Sequence, residues 1–125
     1  MRAITSEKIP TAIGPYSAAV VHGNFIFTSG QLGIDPQTSQ FAGDSIKEQT
    51  RQALENLRLI LEAENCTLQD IVKVTIFLAD INDYSDMNEV YASSFNPPYP
   101  ARSAFQVACL PRNALVEIEA IVLRD

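Results

Sequence analysis

The 125-residue chain has no tryptophan, one histidine and two cysteines, and only nine basic residues stand against fifteen acidic ones. Each scarcity closes off a class of chemistry. The one imidazole, His22, sits in the turn-forming tripeptide His22-Gly23-Asn24, which leaves a Ser-His-Asp or Cys-His catalytic arrangement without support. Cys66 and Cys109 are too few for a disulfide framework and have no neighbouring ligands at zinc spacing, so no metal site is expected. There is no glycine-rich phosphate loop. The formal charge is −6, and the nine cations are scattered along the chain. That argues against nucleic acid as a partner, because a nucleic-acid surface needs clustered positive charge. No apolar run approaches a membrane span and the first residues carry no apolar signal core. The expectation is therefore a cytoplasmic protein with reduced thiols and no membrane partner.

What is present fits one domain over residues 1–125, with 46% hydrophobic and 19% charged residues and no repeats or linkers. Residues 17–21 and 25–28 read as strands joined by the His22-Gly23-Asn24 turn. Asp35-Pro36-Gln37-Thr38 is a second turn. Ser45 and Glu48 form a capping box. Behind it Ile46, Ala53, Leu54, Leu57, Ile60 and Leu61 recur at helical spacing over roughly five turns. Residues 68–71 read as a short helical turn capped by Thr67. Val72, Val74, Ile76 and Leu78 alternate as the inner face of a strand. Asp83 is placed to cap a second helix with Tyr84, Met87, Val90, Tyr91 and Phe95 along one side, stopped at Asn96-Pro97-Pro98-Tyr99-Pro100. Residues 103–110 and 116–123 read as a closing hairpin around Pro111-Arg112-Asn113-Ala114. The order β-β-α-β-α-β-β predicts an α+β domain, a mixed sheet with two helices on one face. The other face carries Phe27, Phe77 and Phe105, which predicts a covering subunit.

Two segments near the C-terminus place charge where core is expected: Pro100-Ala101-Arg102-Ser103 and Val116-Glu117-Ile118-Glu119-Ala120-Ile121. Charge on such strands is costly unless it is paired or used. A guanidinium can hold a planar carboxylate through two parallel hydrogen bonds. A partly desolvated glutamate has a raised pKa and is a better base at neutral pH. Together they are the minimum equipment for hydrolysing a small acid. Glu117 and Glu119 share a strand face, so spacing does not say which is the base and which pairs with a cation. Tyr16 reads equally as packing after a Gly-Pro turn, and Ser29 as a residue that shapes its turn.

Four segments together, Ile13-Gly14-Pro15-Tyr16-Ser17, Thr28-Ser29-Gly30-Gln31, Pro100-Ala101-Arg102-Ser103 and Leu110-Pro111 with Val116-Glu117-Ile118-Glu119-Ala120, resemble the RidA/YjgF family of reactive intermediate deaminases, also called L-PSP or translation-inhibitor proteins. The resemblance spans essentially the whole chain. It implies a chorismate-mutase-like α+β fold and a homotrimer with ligand clefts at the subunit interfaces. It also implies cofactor-free hydrolysis of 2-imino acids, such as 2-iminobutanoate and 2-iminopropanoate, to 2-keto acids and ammonia. By the same resemblance Arg102 is the carboxylate-binding arginine and Glu117 the glutamate that activates water. Tyr16, Ser29 and Asn88 are cleft residues, and Gly30 is the tight backbone beside the ligand. Ala104 stands where many bacterial members carry cysteine, and its backbone groups remain available to the imine. A small-carboxylate-binding module without turnover and an endoribonuclease or translation inhibitor are the alternatives. The acidic charge and the missing catalytic histidine count against the latter.

Overall fold

Helix α1 (Ile46–Glu62) starts where its capping box predicts. In the computed structural model, which describes residues 1–125, the Glu48 N–H donates to the Ser45 hydroxyl at 3.1 Å and the Ser45 N–H donates to the Glu48 carboxylate at 3.4 Å. The predicted apolar stripe is buried along its length, and Gln49, Thr50 and Asn56 are buried with it. Two of these polar residues stitch the helix to its surroundings. Asn56 Nδ2 donates to the carbonyls of Leu32 and Ile34, while the Gln49 amide donates to the Gly43 carbonyl and accepts from the Leu115 N–H. Buried backbone groups of loops need such partners. Beyond α1, Glu64 accepts from Arg2 at 2.5 Å and Arg124 at 3.1 Å, tying both termini to the helix end. Thr67 caps the next 3₁₀ turn, as predicted.

Seven strands form one mixed sheet: β1 (Arg2–Ala3), β2 (Ala19–His22), β3 (Phe25–Thr28), β4 (Gln31–Leu32), β5 (Ile71–Leu78), β6 (Ala101–Gln106) and β7 (Val116–Leu123). Their order is β1-β2-β3-β7-β5-β6, with β4 pairing to β7 as well. Only β5 and β6 are parallel, connected through helix α2 (Tyr84–Ala92). The core lies between the sheet and the two helices, around Ile26, Leu57, Ile60, Ile76, Met87 and Ile118. Alternation along β7 sends Val116, Ile118, Ala120 and Val122 into that core and Glu117, Glu119 and Ile121 to the opposite face.

Four expectations are corrected. The closing hairpin does not form: β5 lies between β6 and β7, pairing parallel with one and antiparallel with the other. A central apolar strand needs two neighbours, and β5 takes both. The strand predicted over 103–110 accordingly spans 101–106, and Pro111–Asn113 form a 3₁₀ turn with Arg112 and Asn113 at φ 57°. Val72 is not inner-facing but 41% exposed, because a bulge between Ile71 and Lys73 resets the alternation. Asp83 makes no cap bond. Asp80 accepts from the Asn82 N–H at 2.9 Å and starts a 3₁₀ turn, Ile81–Asp83, that runs into α2. The two-residue strands β1 and β4 have no local signal.

The sheet face away from the helices carries the predicted aromatics. Phe77 and Phe105 meet edge-to-face at 5.4 Å, and Phe25 stacks on Phe27 at 5.9 Å. Phe27 and Phe105 are 42% and 44% exposed in the single chain.

Candidate active site

Arg102 sits on β6, the edge strand, in register with the fully buried Val74. Its side chain therefore lies on the helix face and runs onto α2. One Nη1 hydrogen is donated to Asn88 Oδ1 at 2.7 Å and one Nη2 hydrogen to the Tyr84 hydroxyl at 2.7 Å. The guanidinium carbon lies 4.6 Å from the centre of the Tyr91 ring. Tyr84, Asn88 and Tyr91 are spaced i, i+4, i+7, so one stripe of α2 holds the arginine. None of the three is an acid. The ion pairs of the molecule involve Arg2, Lys8, Lys47, Arg58 and Arg124, and Arg102 is in none of them. A half-buried guanidinium with no counter-ion faces a cleft of about 340 Å³ lined by Asn88, Tyr91, Ala92, Tyr99, Pro100 and Arg102. The Tyr91 hydroxyl is buried without a hydrogen-bond partner, and burial pushes its pKa up.

The backbone of β6 offers a second set of groups. The Val107 N–H donates to the Leu78 carbonyl at 2.9 Å, toward β5. By the two-residue alternation of a strand, the N–H and C=O of Arg102 and Ala104 point the other way, off the unpaired edge of the sheet. The Ala104 methyl itself packs against the core.

Glu117 occupies β7, in register with Phe77 of β5 and Leu32 of β4. Burial, and secondarily the Glu119 carboxylate on the same face, push its carboxyl above the ordinary 4.5. Gly30 lies directly against it: a methyl there would stand 2.5 Å from Glu117 Oε2 and 2.6 Å from its carboxyl carbon. Only a residue without a side chain leaves room for the carboxylate. Ser29 donates its hydroxyl to the Ser17 carbonyl at 2.6 Å and its N–H to the Ala18 carbonyl at 2.8 Å, which pins the chain entering Gly30. Tyr16 is 57% exposed and lines a different cleft, of about 240 Å³, with the N-terminal segment from Ala3 to Ala12.

Apart from Tyr16, the sequence-predicted residues thus fall into two groups. Arg102 and Asn88 lie together on the helix face, with the backbone of Ala104 at the neighbouring edge. Glu117, Gly30 and Ser29 lie together at the β4–β7 end. Within the single chain the groups are not brought together, because Arg102 is in register with an inward residue of β5 and Glu117 with an outward one. Tyr84 and Tyr91 are the site residues that sequence reasoning missed. Their helical spacing placed them in an apolar stripe, and only the shared spacing with Asn88 signalled a different use.

Residues 6–124 match the family profile described as Endoribonuclease L-PSP. The RutC family protein PH0854 of Pyrococcus horikoshii is 50% identical over 122 residues, covering 98% of this chain and 97% of that protein. The 2-iminobutanoate/2-iminopropanoate deaminase of Homo sapiens is 45% identical over 123 residues, covering 98% of this chain and 90% of the human one. The crystal structure of E. coli TdcF with bound serine matches at a TM-score of 0.94 and 41% identity, over 100% of both chains. With nearly the whole chain matching the profile and the fold shared end to end, the chain belongs to the Endoribonuclease L-PSP family, the RidA/YjgF group of reactive intermediate deaminases.

Proposed function

We propose that this protein hydrolyses 2-imino acids and their enamine tautomers, 2-iminobutanoate and 2-iminopropanoate among them, to 2-keto acids and ammonia. The observation that carries the assignment is the half-buried Arg102 guanidinium, held by three neutral side chains beside a cleft and paired with no acid. The activity named for the human relative fits that chemistry.

Arg102 takes the substrate carboxylate on its uncommitted N–H groups and presents the imine carbon in one orientation. The outward-facing carbonyl of Ala104 accepts from the protonated imine nitrogen. Glu117 removes a proton from water as the oxygen attacks that carbon, and the C=N pair moves onto nitrogen. Glu117 gives that proton to the amine and then takes the proton of the carbinol hydroxyl as the C–N bond breaks, so that ammonia leaves and the carbinol oxygen becomes the keto group. Imines are already electrophilic, so a positioned base contributing factors of roughly hundreds to thousands is enough.

Because Arg102 and Glu117 occupy opposite faces of one sheet, the complete site in this proposal forms between copies in a homotrimer. One protomer supplies Arg102, Asn88 and the Ala104 backbone, and the next supplies Glu117, Gly30, Ser29 and Tyr16. RNA cleavage fits less well. The cations outside ion pairs, Arg51, Lys73, Arg102 and Arg112, sit on separate elements and form no groove for a phosphate backbone.

The test is a coupled assay in which an amino-acid oxidase or a dehydratase generates the imino acid in the presence of semicarbazide. Keto-acid release is followed with wild type, Arg102→Ala and Glu117→Gln. Wild type is expected to outrun trapping, and both folded variants to lose at least about a hundredfold. Wild type no faster than buffer across several imino acids would overturn the deaminase assignment.

A further inference from the structure

We propose that Tyr84 is a positioning residue for the substrate carboxylate, acting through Arg102. The inference rests on the assignment of Arg102 as the carboxylate anchor. A guanidinium has five N–H groups in one plane, and its value as an anchor depends on where the uncommitted ones point. Asn88 alone, bonded to Nη1, leaves the plane free to swing about that contact. The Tyr84 hydroxyl, 2.7 Å from Nη2, gives the second point, and the Tyr91 ring beneath the guanidinium carbon gives the third. With three points held, the remaining N–H groups have one direction.

The chemical type of Tyr84 matters as much as its place. A carboxylate at this position would also hold Nη2, but it would cancel the charge and compete with the substrate for the same donors. A neutral phenol oxygen orients the guanidinium and leaves its full positive charge for the ligand. Tyr84 is the first residue of α2 and is 36% exposed, whereas Tyr91 is buried in the core. Its hydroxyl makes no other hydrogen bond in the protomer than the one to Arg102. The ring accounts for the packing, and the oxygen is left to the arginine.

The experiment compares wild type, Tyr84→Phe, Arg102→Ala, Arg102→Lys and the Tyr84→Phe/Arg102→Lys pair, each checked by thermal melting. Readouts are KM and kcat for the imino acid, and calorimetric affinity for the product 2-keto acid and for its uncharged amide. Tyr84→Phe is expected to melt as wild type does, to raise KM about five- to tenfold and to leave kcat within about twofold. Keto-acid affinity should fall by the same factor and amide affinity should stay unchanged. In the Arg102→Lys background, where no planar fork remains to orient, Tyr84→Phe should have no further effect. An unchanged KM in Tyr84→Phe, with Arg102→Ala still losing the keto acid, overturns the role of Tyr84 and leaves the anchor standing. Equal weakening of acid and amide overturns it too, since a structural role would do that. Wild-type keto-acid affinity in Arg102→Ala overturns the anchor itself.

Discussion

Glu117 carries two burdens at once: it is half buried, and Glu119 stands two residues along on the same face. Both favour the protonated carboxyl, burial more than the neighbour, so its pKa lies above the ordinary 4.5. A base works ionised, so kcat/KM should rise with pH through that raised value and fall away below it. Glu119→Gln removes the smaller cause and should move the acid limb to lower pH without flattening it. A pH–rate profile reads the shift, and an unmoved limb would mean the Glu119 charge is not felt at Glu117. Gly30 makes a second residue-scale prediction. The three atoms nearest a methyl at Gly30, Oε2, the carboxyl carbon and Cγ, all belong to the flexible Glu117 side chain, which must turn aside. Gly30→Ala should therefore lower kcat by about tenfold or more, the range of a displaced base, with melting nearly unchanged. A variant as active as wild type would show that Glu117 need not rest against Gly30.

Elements answer to different neighbours, and Gly33 shows it. A methyl at Gly33 would stand 2.5 Å from both the Cα and the carbonyl oxygen of Gln49, which are α1 backbone and cannot turn away. Gly33→Ala should cost about 2 kcal/mol of stability in urea unfolding, the penalty of overpacking a rigid contact. Ser45→Ala removes the N-cap acceptor of α1 and should cost about 1 kcal/mol by the same measurement. The difference in legibility between α1 and β6 has the same root. The cap, stripe and length of α1 are local properties, repeated every turn of the chain, and its first residue and buried face are where the spacing put them. The pairing of β6 is a choice among distant strands. No residue in 103–110 states that β5 will stand between it and β7, or that a bulge will turn Val72 outward.

At the scale of the whole molecule, one sheet face is packed under two helices and the other is left with Phe25, Phe27, Phe105 and Leu123 each 40–44% exposed. An apolar face of this kind marks an interaction surface, and the site proposed above, shared between Arg102 of one copy and Glu117 of the next, makes the partner another copy. Sedimentation should give a species of three times the 13.7 kDa chain mass. Phe105→Asp puts a charge into that face without touching the core. It should yield folded monomers that have lost deaminase activity, and a trimeric, active Phe105→Asp would exclude this face as the interface.

From sequence alone come the helices, the alternating strands, the α+β class and the unusual strand charges Arg102, Glu117 and Glu119. All of these are written in spacing and composition over a few turns of chain, and the resemblance of four short segments singles out Arg102 and Glu117 and adds a role for each. Tertiary structure alone decides that the two charges leave opposite faces of one sheet, because a strand's facing is set by its register with its neighbours. It alone decides that Tyr84, Asn88 and Tyr91 close on the guanidinium, since α2 meets β6 only after the chain has crossed over β5. The residue types of a site are local information, and the directions in which they point are not.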